Sequence, residues 1–384
     1  MELEAWSFPF DSHNGRVRKW AGILLSGLVF LTGCGTASRP ETNRSAKELP
    51  PDWAVPQEPK PEPEPVVIAP VVPAPTPAPA SNHPPATFTS PETRWLSLNR
   101  WSGEHGYGNA RRISTTPSES YSLATSNGVL TVTIGSLLAH WDGLDLRLGF
   151  APMLINGQVY FHALDLRKNL EPLLRGFEWP ANTDRVIVID PGHGGSNTGA
   201  RSVADGRFEK TFTLDWALRL ARLLETNNWR VFLTRTNDVD VSLTNRVDFA
   251  TQHGADFFLS LHFNVPGSVN GEVAGLETYS LTPAGMVSSL TRGYPDNPAQ
   301  SFPNNSFDEP NLAYAVRLHA ALLKANGHLD RAVRRARFPG VLRGQNCPAV
   351  LIEGGYLSNL REARKIADPA YRQKLAEAVA EALR

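Results

Sequence analysis

Two histidines and two glutamates stand where reactive side chains are most useful in this sequence. His193 follows the apolar run Val186-Ile187-Val188-Ile189 through Asp190-Pro191-Gly192. His262 follows Leu259-Ser260-Leu261, and Glu353 follows Val350-Leu351-Ile352. Glu209, in Phe208-Glu209-Lys210, opens a helical pattern. Two imidazoles and one carboxylate make a catalytic zinc set that leaves one position open for water. Taken singly, each residue has a duller reading. His193 fits a glycine-rich turn, Glu209 a helix-start carboxylate favoured by the dipole, and His262 a hydrogen-bonded structural histidine. Glu353 is hardest to dismiss, because a carboxylate ending an apolar strand needs a partner or a purpose. Their joint placement makes the case.

The elements that must position them alternate. The apolar run before Asp190 reads as a buried strand, and Leu214, Ala217, Leu218, Ala221 and Leu224 recur at helical spacing. Residues 230–234 read as a strand, 243–252 as a helix, 257–261 as a strand, and the stretch from Leu276 to Tyr279 as another. A helix over 311–325, a strand over 349–352 and a closing helix over 369–383 complete the pattern. Such alternation predicts an α/β domain, its mostly parallel sheet covered by helices on both faces. Ligands of such sheets bind beyond the carboxyl ends of the strands. Three of the four candidates fall there.

The motifs then become specific. Val188-Ile189-Asp190-Pro191-Gly192-His193-Gly194-Gly195, Glu209-Lys210, Leu233-Thr234-Arg235, Ala255-Asp256 and Ser260-Leu261-His262-Phe263-Asn264 stand in order. Pro348-Ala349-Val350-Leu351-Ile352-Glu353 and Gly354-Gly355-Tyr356-Leu357-Ser358-Asn359 complete the series. From Arg185 to Arg384 the chain resembles the N-acetylmuramoyl-L-alanine amidases with the type-3 catalytic domain. The resemblance implies that His193, Glu209 and His262 hold zinc and that Glu353 is the catalytic carboxylate. It also implies a peptidoglycan substrate, cut between the lactyl group of N-acetylmuramic acid and L-alanine. Zinc would activate water and polarise the carbonyl, while Glu353 takes the water's proton and passes it to the departing amine.

Two departures from the family pattern concern loop shape. Asn197-Thr198 precede Gly199-Ala200 where an acidic residue and proline are usual, and Ala332 follows Asp330-Arg331 where glycine is usual. Asn264 is a candidate for orienting substrate or the groups behind the site residues, against a plain loop role. Arg331, Arg334, Arg335, Arg337 and Arg343 read as a solvated basic face, with attraction of anionic wall polymers as the functional alternative. Cys347, before Pro348 and an apolar strand, reads as buried filler.

The first half of the chain reads as delivery. Arg16, Arg18 and Lys19 precede an apolar run from Trp20 to Leu31, the pattern of a secretory signal. It ends in Leu31-Thr32-Gly33-Cys34, which resembles the lipobox of bacterial lipoproteins and implies lipidation of Cys34. Residues 1–34 are thus expected to be the signal. Glu2, Glu4 and Asp11 fit it poorly, so translation is expected to begin at Val17. Gly35 after the cysteine, in place of aspartate, implies outer-membrane anchoring facing the periplasm. Residues 35–92 read as a disordered tether, since 15 of the 31 prolines fall between Pro50 and Pro91. In polyproline II that stretch reaches on the order of 100 Å.

Residues 93–179 read as a small β-rich domain preceding the catalytic one, which is expected over 184–384. Leu130, Val132 and Ile134 alternate with threonines, as do Leu146, Leu148 and Phe150 with their neighbours. Asn156-Gly157 marks a hairpin, and a helix through Leu164, Leu170 and Leu174 closes the unit. It loosely resembles the copper amine oxidase N-terminal-like domain, and His105, His140 and His162 lack ligand-like spacing for any metal.

Charge and cysteine content narrow the classes. Lys plus Arg equals Asp plus Glu at 38 each, with no basic excess for nucleic acid. Two cysteines do not make a disulfide scaffold. A zinc peptidase acting within the peptide stem, or a non-catalytic wall-binding lipoprotein, are the rival readings. Pro283, Pro295, Pro298, Pro303 and Pro310 argue against a long helix covering the site. No protein activator is therefore expected, and a fragment from about Asp184 is expected to be active.

Overall fold

The computed structural model describes residues 94–176, 185–266, 271–291 and 296–384. The signal, Cys34, the tether, Trp179, Asp184 and Pro295 lie outside them. The strands are β1 (Trp95–Ser97), β2 (Arg111–Ser114), β3 (Ser120–Ala124), β4 (Val129–Thr133), β5 (Leu138–Trp141), β6 (Leu144–Arg147), β7 (Met153–Ile155) and β8 (Gln158–His162). They continue as β9 (Arg185–Pro191), β10 (Trp229–Leu233), β11 (Phe257–Asn264), β12 (Leu276–Leu281), β13 (Asp330–Ala336) and β14 (Ala349–Tyr356). The helices are α1 (Leu98–Glu104), α2 (Ala163–Asp165), α3 (Glu171–Arg175), α4 (Glu209–Glu225), α5 (Leu243–Gln252), α6 (Asp308–Asn326), α7 (Leu360–Ala367) and α8 (Pro369–Ala382). A π-helical turn, Leu166–Leu170, joins α2 to α3.

One sheet of eleven strands, ordered β10-β9-β11-β14-β12-β13-β6-β5-β4-β3-β2, runs through most of these elements. β10, β9, β11 and β14 are mutually parallel. β12 turns antiparallel against β14, and β13 is parallel to β12. Alternate residues of the buried strands feed two cores. Ile187, Ile189, Phe257, Leu259, Val350 and Ile352 share one with α4, α6 and α8 through Trp216, Leu318 and Val379. Val188, Phe258, Ala349 and Leu351 share the other with Ala250 of α5, Phe338 and Leu342. Near-continuous apolar runs such as 186–189 follow from this two-sided burial.

The division expected at residues 179–184 does not separate two cores. β6 pairs in parallel with β13 at Leu146 and Val333, so the early strands extend the catalytic sheet. Leu123, Leu130, Val132 and Leu146 belong to the same apolar cluster as Ile187 and Leu318. Arg335 crosses the seam, donating to the Lys168 carbonyl at 2.9 Å and to Asn169 Oδ1 at 3.1 Å. The expected basic face is corrected by the same contacts. Arg335 and Arg337 are buried at 4% and 1% exposure, each guanidinium held by carbonyl and side-chain oxygens.

The Asn156-Gly157 hairpin joins β7 to β8 with both residues at positive φ, +50° and +75°, as a tight two-residue turn requires. Between β12 and α6, the described residues contain one short helix, the 3₁₀ turn Pro303–Phe307. Among the described residues no helix is long and apolar enough to cross a membrane.

Candidate metal centre and its acid-base neighbour

The loop after β9 carries His193 back over the carboxyl end of the sheet. Its base is Asp190, fully buried, which accepts from Thr234 Oγ1 at 2.6 Å, from Ser260 Oγ at 2.8 Å and from Arg246. Burial pushes this carboxyl up, but Arg246 and the hydroxyls outweigh that and keep it below its ordinary range. Arg246 also donates to the His193 carbonyl at 3.0 Å. Arg235 clamps the carbonyls of Pro191 and Gly192 at 3.0 and 2.8 Å. Two buried guanidinium groups therefore hold the loop, and His193 sits in it at φ +63°. A non-glycine residue in that region costs free energy that surrounding contacts must offset.

Three side chains converge above this base. Glu209, first residue of α4, lies 3.0 Å from His193 Nε2 through one oxygen and 3.0 Å from His262 Nδ1 through the other. The ligand atoms of the three residues all lie within 4.8 Å of one another. The backbone N–H groups of Ala200 and Phe263 donate to the two Glu209 oxygens, each at 3.0 Å. Burial pushes the Glu209 carboxyl up, yet the imidazoles hold it well below the usual carboxylate range. Burial lowers both histidines; Glu209 reverses this for His193, which is raised, but not for His262, which stays lowered.

The surroundings suit a metal ion. A Cβ on Gly192 would fall 2.3 Å from the His262 ring, and one on Gly199 2.6 Å from the His193 ring and 2.7 Å from Glu209. Only glycine permits that approach, and at φ +66° Gly199 also supplies the left-handed turn. His193 Nδ1 pairs with Asn197 Oδ1 at 2.7 Å. With Nδ1–H given to the asparagine, Nε2, the atom beside Glu209, is the one that would ligate a metal. Asn197 thus takes up the acidic family position with a neutral acceptor. Asp240 fixes the loop by accepting from the Ser196 N–H and Oγ at 3.0 and 2.9 Å.

Glu353 lies on β14 directly opposite His262 of β11 and Glu277 of β12. It is 2% exposed, and its charge contributes to raising His193. The structure thus brings together all four residues expected to do chemistry. Asn264 is turned elsewhere. Its Nδ2 donates to Glu277 Oε2 at 2.8 Å and lies 3.3 Å from the Tyr356 hydroxyl, while its Oδ1 accepts from the Val265 N–H. The amide is thus engaged inside the protein, where it orients Glu277, the second of the two roles expected for it. Beside the histidines opens a cavity of ≈ 320 Å³ lined by His193, Asn197, Asp240, Leu243, His262 and Phe338. Sequence reading missed Asp190, Arg235 and Arg246 as scaffolding, and missed Glu277 altogether. The available signal for Glu277 was a lone acidic residue inside the strand Leu276–Leu281.

The chain is similar to known cell-wall amidases. The family N-acetylmuramoyl-L-alanine amidase matches residues 187–384. The amidase CwlM of Bacillus licheniformis is 38% identical over 199 residues, 51% of this chain and 66% of that protein. The amidase AmiA of Escherichia coli K12 is 30% identical over 258 residues, 62% of this chain and 88% of that one. The solved catalytic domain of CwlV from Bacillus (Paenibacillus) polymyxa is 32% identical, over 52% of this chain and 96% of its own, with a TM-score of 0.43. The chain thus spans 66% of the Bacillus licheniformis relative's length. With the matched segment running from β9 to the C-terminus and containing the four converging residues, this chain belongs to the N-acetylmuramoyl-L-alanine amidase family.

Proposed function

We propose that this chain hydrolyses the amide between the lactyl group of N-acetylmuramic acid and L-alanine in peptidoglycan. The observation that carries the reading is the convergence of His193, Glu209 and His262 with Glu353 as the cross-strand neighbour of His262. His193, Glu209 and His262 would hold zinc, which supplies the Lewis acidity that polarises a carbonyl and makes water nucleophilic near neutral pH. Glu353 takes a proton from the attacking water. It then returns that proton to the alanine nitrogen as the amine departs. Its dry surroundings strengthen every charge interaction along that path.

The supporting frame is a mostly parallel sheet across β10, β9, β11 and β14, with helices on either side. The chain acts without an activator protein; the prolines between β12 and α6 support this. A lipid on Cys34 holds the enzyme to the outer membrane, facing the periplasm, and the proline-rich stretch lets the site reach the wall. Replacing Cys34 with serine and following labelled fatty acid tests the anchor; unchanged labelling refutes it. For the activity, purified sacculi are digested and the products weighed by mass spectrometry. Intact stems beginning with L-alanine are expected. Shortened stems would establish a peptidase instead, and no soluble product would establish a binding protein.

A further inference from the structure

Beyond Glu353 the sheet carries a charged group that the proposed reaction leaves unused. Glu277 is 1% exposed and accepts four hydrogen bonds. Its Oε1 takes Arg331 Nε at 3.1 Å and Arg334 Nη1 at 2.7 Å, and its Oε2 takes Asn264 Nδ2 at 2.8 Å and the Tyr279 hydroxyl at 2.9 Å. A carboxylate has about four lone-pair sites, so Glu277 has no capacity left for a proton or a metal. Burial pushes its carboxyl up, and the two arginines outweigh that and hold it low. One negative charge thus faces two positive ones.

A defect in β13 builds this arrangement. Residues three apart in a regular strand point to opposite faces, yet Arg331 and Arg334 both meet Glu277. In the pairing of β12 with β13, Leu276 faces Asp330 and Thr278 faces Val333, so Arg331 and Ala332 share the place opposite Glu277. Such a bulge inserts one residue and reverses the alternation. Ala332 makes it at φ +82°, its N–H held by Asp330 Oδ1 at 2.7 Å.

The two arginines are not equivalent. Arg334 has 18% of its side chain exposed and also donates to the Ser289 carbonyl. Arg331 has 37% exposed. Its stem packs over Gly275, where a Cβ would fall 2.7 Å from Arg331 Cγ, and its guanidinium sits 5.4 Å from the centre of the Tyr356 ring. Its Nε is used by Glu277, and its terminal nitrogens have no hydrogen-bond acceptor among the described residues. The result is a fixed cation with open donors, two strands across the sheet from Glu353 and on the same face.

We propose that Arg331 is a specificity-determining residue that binds a carboxylate of the peptide stem. This rests on the amidase reading above. Two strand spacings place Arg331 roughly 10 Å from Glu353, and an extended peptide covers that in about three residues. The ligand is therefore a carboxylate on the second or third residue of the released peptide, beyond the cleaved bond itself. A guanidinium offers such a group charge-assisted hydrogen bonds of fixed geometry.

The test uses the zinc-loaded protein and three muramoyl tripeptides: one with all carboxylates free, one amidated at the second residue and one at the third. The wild type is expected to prefer the free form over one amidated form by about tenfold in kcat/KM, mostly through KM. Arg331→Gln should abolish that preference, leaving activity on the disfavoured amide within about threefold of wild type. Arg331→Lys, which keeps the charge beside Glu277, should fall between. A wild type without preference, or a loss in both variants that is equal on all three peptides, overturns the proposal. Failure of the wild type to cut any of them would instead overturn the amidase reading.

Discussion

Gly199→Ala isolates the site's most exacting contact. An added Cβ would stand 2.6 Å from His193 Cδ2, 2.7 Å from Glu209 Oε2 and 2.8 Å from Glu209 Cβ. Ordinary contact begins near 3.4 Å, so the shortfall is about 0.8 Å. Neither neighbour can yield cheaply. His193 is tied to Asn197 and its loop to Arg246, while both Glu209 oxygens receive backbone N–H groups. Two proposed ligands must therefore move by a large fraction of an ångström. Misplacement on that scale costs about a hundredfold in rate. The left-handed backbone adds a penalty of about 1–2 kcal/mol for any side chain. Gly327→Ala separates these effects, because Gly327 has φ +58° and nothing within 4 Å of the added carbon. Both variants should melt a few degrees lower. Only Gly199→Ala should lose zinc in competition with a chromogenic chelator and clear dye-labelled sacculi about a hundred times more slowly. Zinc affinity and turnover within about threefold of wild type would refute the reasoning.

Other variants probe separate parts. Glu353→Gln keeps shape but cannot accept a proton, so zinc content should hold while turnover on sacculi falls at least about a hundredfold. Asn197→Ala removes the acceptor that orients His193 and should weaken zinc binding by about 10- to 100-fold, read by metal titration, without lowering the melting temperature appreciably. A fragment starting at Arg185 strands Arg335 without Lys168 and Asn169 and bares the β13 edge. It should melt at least about 5 °C below a chain starting at residue 94, by calorimetry. Equal melting would show that the early strands are dispensable.

Side chains at the ends of apolar strands were legible because two-sided burial writes itself as uninterrupted hydrophobic runs. His193, His262 and Glu353 could be placed from those runs alone. The residues that hold them were not, because Asp190, Arg235 and Arg246 act through partners some 40 to 70 positions away. β13 was hidden for another reason. Asp330–Ala336 reads DRAVRRA, with four charges in seven residues, and resembles a solvated face. Arg335 is buried and Arg334 half-buried because carboxylates and carbonyls from other segments meet them, and pattern reading does not see those. The fusion of the early strands with the catalytic sheet rests on a single short pairing, Leu146 with Val333, between segments nearly two hundred residues apart.

The central claim is tested most directly by the fate of the water oxygen. Digesting sacculi in ¹⁸O-labelled water and weighing the products locates the new carboxylate. Label in the lactyl carboxylate of N-acetylmuramic acid, with unlabelled peptide beginning at L-alanine, is the expected result. Label in a peptide carboxylate, with the lactyl group still amidated, would contradict the account.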